Sequence, residues 1–132
     1  MNAPKAAILR EDDRPTISRA GGASSKQMVT PDCGAGALLA GFTTLPPGKA
    51  IPLHFHNCEE SVLVLEGSPK IEVDGEFFRA TAGEVVWQAP DVPHRFINDS
   101  DSESVRIFWT YASAEATRTL VETGETGPVL AE

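Results

Sequence analysis

The chain has 132 residues, enough for one hydrophobic core and too few for two, so a single domain with tails is expected. A hydrophobic fraction of 41% beside 23% charged residues describes a packed globular chain and excludes an intrinsically disordered one. Eleven basic against 19 acidic side chains leave a net charge of −8, which repels a phosphate backbone and points to a small molecule, with no nucleic acid, as partner.

No window approaches the roughly 18 consecutive apolar residues that span a bilayer. The opening MNAPKAAILREDDRP lacks the apolar stretch of a secretory signal, so no membrane partner and a cytoplasmic location are expected. Cys33 and Cys58 form neither a CxxC pair nor a disulfide framework, and reduced thiols are the default reading. Cys58 lies between His56 and Glu60, where an inert turn residue is favoured over a thiolate ligand.

Taken in chain order, Met1 to Ser25 is broken by Pro4, Pro15 and Gly21-Gly22 and reads as an extended arm. Residues 1–33 are expected to form that arm with the first short strands, 34–111 a β-barrel and 112–132 a C-terminal segment. From Gly34 onward, short apolar runs alternate with turn residues at nearly even spacing, the pattern of an antiparallel sandwich or barrel. The predicted strands are Ala37–Leu45, Ile51–His56, Ser61–Leu65, Lys70–Val73, Glu76–Ala80, Glu84–Gln88, His94–Asn98 and Val105–Tyr111. Asp74-Gly75 between two of them suits the two-residue type I′ turn that matches strand twist. The fold class is therefore all-β. Ser113–Val121 is the one segment compatible with a helix, capped by Ser113 and ended by Gly124, and Arg118–Val121 reads equally well as a strand.

The chemistry concentrates in two stretches. In a strand, alternate residues face the same way, so His54 and His56 share a face, and a turn through Asn57 and Cys58 brings Glu60 back beside them. The remaining histidine, His94, lies in Gly83-Glu-Val-Val-Trp-Gln-Ala-Pro-Asp-Val-Pro-His94-Arg-Phe-Ile-Asn98, which an antiparallel barrel can carry to the same place. A bland alternative treats the histidines as polar strand positions and Glu59-Glu60 as an exposed acidic turn; the combined spacing of the two stretches outweighs it.

These stretches resemble the two motifs of the cupin superfamily. The first, G-x5-H-x-H-x3or4-E-x6-G, is matched by Gly48, His54, His56, Glu60 and Gly67. The second, G-x5-P-x-G-x2-H-x3-N, is matched by Gly83, His94 and Asn98, with Ala89 and Asp91 in place of its Pro and Gly. The resemblance covers about residues 35–111 and implies a double-stranded β-helix, or jelly-roll β-barrel. It also implies that His54, His56, Glu60 and His94 hold one divalent transition metal per subunit, with Glu59 as the runner-up carboxylate. Three imidazoles and a carboxylate suit Fe, Mn, Co, Ni, Cu or Zn. Four protein ligands leave two octahedral positions open for a substrate.

Around the motifs, Phe96 and Asn98 share the parity of His94 and are expected to face the cavity, with Arg95 pointing away. Phe42, Trp87, Trp109 and Tyr111 are candidates for an apolar wall, although plain core packing is the better reading for each. Lys70, Arg79 and Arg106 receive no role, because charged residues on strands usually face solvent. Ser61–Leu65 and Val105–Trp109 are apolar on both faces and need cover on both sides; the resemblance to cupins supplies a second subunit, so a homodimer is expected. The function that follows is a small metal-dependent enzyme, a dioxygenase or an isomerase or lyase, acting on a small organic molecule with Glu60 doubling as base. The alternative is a non-catalytic metabolite sensor.

Overall fold

The structure is a computed structural model, and it describes residues 4–131. The first three residues of the expected arm and the last residue of the C-terminal segment lie outside the described residues. Twelve strands follow in order: β1 (Ile17–Ser18), β2 (Ser24–Val29), β3 (Leu39–Leu45), β4 (His54–His56), β5 (Glu60–Glu66), β6 (Lys70–Val73), β7 (Glu76–Arg79), β8 (Val85–Gln88), β9 (His94–Ile97), β10 (Val105–Tyr111), β11 (Thr117–Leu120) and β12 (Thr126–Pro128). They form two six-stranded sheets, β1-β2-β3-β10-β5-β8 and β12-β11-β4-β9-β6-β7, with every pairing antiparallel, and the whole is a jelly-roll.

Alternation along the strands decides what lies between the sheets. In β10, Val105, Ile107, Trp109 and Tyr111 are buried while the residues between them are half-buried, and β5 buries Val62 and Val64 in the same rhythm. Ile71 and Phe96 of the opposite sheet join Leu39, Leu45, Val62, Val64, Val105 and Ile107 in one core. Between β6 and β7, Asp74 (φ 49°) and Gly75 (φ 84°) both take the left-handed conformation that a two-residue hairpin loop of this type requires. Gly41 answers a different need. It pairs with Trp109 across the β3–β10 ladder, and a Cβ there would sit 2.5 Å from both the Lys26 carbonyl oxygen and a carbon of the Trp109 ring.

Two segments are only loosely defined by the sequence. The residues read as an extended arm to Ser25 contain β1 and the start of β2, which join the first sheet beside β3. The strand was hidden because its inward residue Ser25 is polar; its hydroxyl is satisfied at 2.7 Å by that of Thr43. Of the two readings open for Ser113–Val121, the strand is the one found, as β11, since pairing with β4 and β12 satisfies its backbone and the threonines at 117 and 119 favour extended structure. Helical turns among the described residues are three-residue 3₁₀ turns at Glu11–Asp13, Ala20–Gly22 and Pro31–Cys33. No helix in the described residues is long and apolar enough to cross a membrane.

Candidate metal centre

His54 and His56 stand on the inner side of β4 with Phe55 between them, and His54 is the cross-strand partner of His94 on β9. The second sheet thus supplies all three imidazoles. Their ring centroids are 4.5 to 5.2 Å apart, and one nitrogen from each lies within 4.8 Å of the others. Glu60 opens β5 on the facing sheet and places Oε1 3.2 Å from His94 Nε2 and 3.6 Å from His56 Nε2. The turn that carries it is tied down by Asn57, which accepts from the Thr117 amide at 2.8 Å and donates to the Glu115 carbonyl.

Each imidazole is oriented by the backbone. The Nδ1–H groups of His54, His56 and His94 donate to the carbonyls of Pro52 (2.6 Å), Thr117 (2.9 Å) and Val92 (2.9 Å). A carbonyl only accepts, so Nδ1 carries the proton and the Nε2 lone pair is left for something else. Burial pushes His54 well below the ordinary histidine value, with the neighbouring histidines adding to the shift, and burial lowers His56 against the opposing pull of Glu60. Both are neutral at pH 7, the form that binds a metal.

The donor set fits a divalent metal ion. His56 Nε2 and His94 Nε2 are buried without a hydrogen-bond partner among the described residues, and both face the carboxylate oxygen of Glu60. Electron-rich atoms held this close favour positive charge between them, which a metal ion coordinated by these groups would supply. Tyr111 completes the surroundings from β10. Full burial beside Glu60 pushes its phenol well above the ordinary range, so it stays protonated and hydrogen-bonds the Glu60 carboxylate.

The site opens into a cavity between the sheets, walled by Phe96, Ile107, Trp109 and Tyr111 around His54, Glu60 and His94. It encloses about 590 Å³ of interatomic space, its mouth included, of which about 50 Å³ admits the centre of a water molecule. Trp109 is fixed by donating from Nε1 to Thr43 Oγ1 at 2.8 Å.

The structure brings His54, His56, Glu60 and His94 together, with Phe96, Trp109 and Tyr111 on the wall, and places other candidates elsewhere. Glu59, the runner-up carboxylate, is outside, accepting from Trp87 Nε1 at 2.9 Å. Trp87 is 62% exposed, and Phe42 packs on Phe108 on the outer face, so neither walls the cavity. Asn98 is buried but structural, donating to the carbonyls of Leu45 and Glu103. Arg95 turns away to Glu72, Arg79 pairs with Asp99, Arg106 pairs with Glu11, and Lys70 lies over the Phe77 ring. Cys58 packs against the core away from the imidazole nitrogens, and burial raises its thiol. Three neighbours went unnoticed in the sequence: Arg19 and Arg118, which line the cavity, and Gln88. Arg118 was legible in principle as the residue opposite His56, once β11 is known to pair with β4.

The fold and the ligand pattern together define a cupin. The cupin domain family model matches residues 41–111, and the chain belongs to that family. Two curated relatives come from Streptomyces. "Polyketide synthase CurC" of Streptomyces cyaneus is 33% identical over 93 residues, 69% of this chain and 60% of that one, so the chain spans less than two thirds of that relative's length. "Protein SchB" of Streptomyces halstedii is 30% identical over 109 residues, 82% of this chain and 79% of the other. Among solved structures, the polyketide cyclase RemF from Streptomyces resistomycificus superimposes with a TM-score of 0.75 at 18% identity, covering 96% of this chain and 87% of its own. An RmlC-like cupin from Shewanella frigidimarina gives 0.72 at 18% identity, over 86% and 96%. At such identities the structural likeness establishes the fold.

Proposed function

We propose that this protein is a metal-dependent cyclase that closes a ring on a poly-β-ketone intermediate. The observation that carries the reading is the convergence of three backbone-oriented Nε2 atoms and the Glu60 carboxylate at the head of an aromatic-walled cavity. The similarity to CurC, which is called a polyketide synthase, supports this choice of substrate class. His54, His56, Glu60 and His94 would hold the ion, which supplies Lewis-acid polarisation of the substrate's carbonyl oxygens.

The chain's own groups do the rest. Glu60, released toward the substrate with the Tyr111 hydroxyl beside it, takes a proton from the acidic carbon between two carbonyls. The resulting enol carbon bonds to a ketone carbon further along the same chain, and the ketone oxygen becomes a hydroxyl with the proton that Glu60 returns. Loss of water then forms a double bond, so the sequence is redox-neutral. Phe96 and Trp109 exclude water and press the chain into the folded shape.

The test is incubation of protein of known metal content with a synthetic linear poly-β-ketone thioester, with and without oxygen. Cyclised product in both atmospheres, lost on chelation and in His94→Ala, supports the cyclase. Substrate-dependent oxygen consumption would make the protein a dioxygenase, and saturable binding without turnover a metabolite sensor. The homodimer belongs to this reading too. On the outer face of the first sheet Phe42, Phe108, Leu63 and Val85 fall in one cross-strand row, which a second copy would cover. A monomer by light scattering would remove that part.

A further inference from the structure

We propose that Gln88 is a positioning residue of the metal centre, whose amide N–H holds the Glu60 carboxylate in its ligating direction. The inference rests on the metal reading above and concerns a residue outside the cupin motif positions.

Gln88 ends β8 at an inward position and is 2% exposed. Both its Oε1 and its Nε2 lack a hydrogen-bond partner among the described residues. Equivalent inward positions of the neighbouring strand are filled by Val62 and Val64, so an apolar residue would pack here without loss. A doubly unsatisfied buried amide is costly unless it can turn onto a neighbouring acceptor.

The register says what that is. Gln88 is the cross-strand partner of Glu60 in the β5–β8 ladder, and Glu60 is the partner of Tyr111 in the β5–β10 ladder. Tyr111, Glu60 and Gln88 thus form one inward row across three strands, with side chains of adjacent members within reach of one another. A carboxylate accepts several hydrogen bonds. Tyr111 supplies one from its side, and the Gln88 amide is the neutral donor in register on the other. The unpartnered Nε2 atoms of His56 and His94 face the same carboxylate, and the two unpartnered atoms of Gln88 belong to its cross-strand partner. Binding of an ion by Glu60 and the histidines, with a turn of the Gln88 amide onto the carboxylate, satisfies the donors among them together.

The test uses Co²⁺ as the probe on the full chain stripped of metal. Gln88→Met keeps the length and removes the amide, and Gln88→Leu serves if it misfolds. The metal-free variant is expected to melt at or above the wild-type temperature, while Co²⁺ affinity falls about 10- to 100-fold and the visible absorption bands shift. In a cycle with Glu60→Gln, the substitution at 88 should have no further effect on affinity, because it acts through Glu60. Wild-type affinity and spectrum in Q88M, or full additivity with E60Q, would overturn the inference while leaving the metal centre standing. Wild-type protein that takes up no Co²⁺ would overturn the metal reading, and this inference with it.

Discussion

Lowering the pH should unfold the metal-free protein in a window set by two histidines. In the folded chain, burial holds His54 well below 6.5 and His56 below it, and both return to about 6.5 when the chain unfolds. Between the folded and unfolded values the unfolded state binds more protons. The contribution is therefore present above about pH 6.5 and lost as pH falls toward the folded values. Each histidine contributes a limiting slope of about 1.4 kcal/mol per pH unit, so the pair approaches about 2.7. Against a typical total of about 5–15 kcal/mol, one such unit is a substantial loss. Urea denaturation of chelator-stripped protein in steps from about pH 7.5 to about pH 5 measures it directly. Equal stability across that range would refute the reasoning, as would an undiminished slope in the His54→Gln/His56→Gln double variant.

Other expectations concern the frame and the ion. Gly41→Ala should cost about 1–3 kcal/mol and change tryptophan fluorescence, because the added methyl drives Trp109 off Thr43; wild-type melting would show that the contact yields freely. Asn98→Ala should destabilise by about 1–3 kcal/mol in chemical denaturation, since it strands the Leu45 carbonyl in the core, with metal stoichiometry unchanged. Zinc at about 100 times its dissociation constant should stabilise the wild-type protein by about 2.7 kcal/mol and His94→Ala not at all, measured by thermal denaturation at matched free metal.

Much of the site could be read from the sequence because strand alternation is local. The parity of His54 and His56, and the short turn to Glu60, depend only on neighbouring residues. What escaped depends on pairing between distant segments. Ser25 looks like a loop residue until Thr43 is found opposite its hydroxyl. Thr117–Leu120 reads as helix or strand alike until the edge of β4 is seen to need a partner. Asn98 has the parity of a cavity residue, yet two carbonyls that no periodicity reveals claim its amide. Phe42 and Trp87 are as apolar as Trp109, and only the sheet's two-sidedness sorts outer from inner.

The second sheet has a thin seam where its two halves meet. Strand β4 is three residues long, and its ladder with β9 is the single pair His54 and His94, flanked by the Ala50–Ile97 bridge and by the Asp91 amide donating to the His56 carbonyl. The imidazoles flank that seam, and Glu60 reaches it from the opposite sheet. An ion held there would act as a rivet through both layers. Release of the ion would let β4 and β9 part locally while the wider ladders of β3, β10 and β5 hold. Loading and unloading would then proceed by breathing of one seam, and amide exchange at His54 to His56 would keep time with metal exchange.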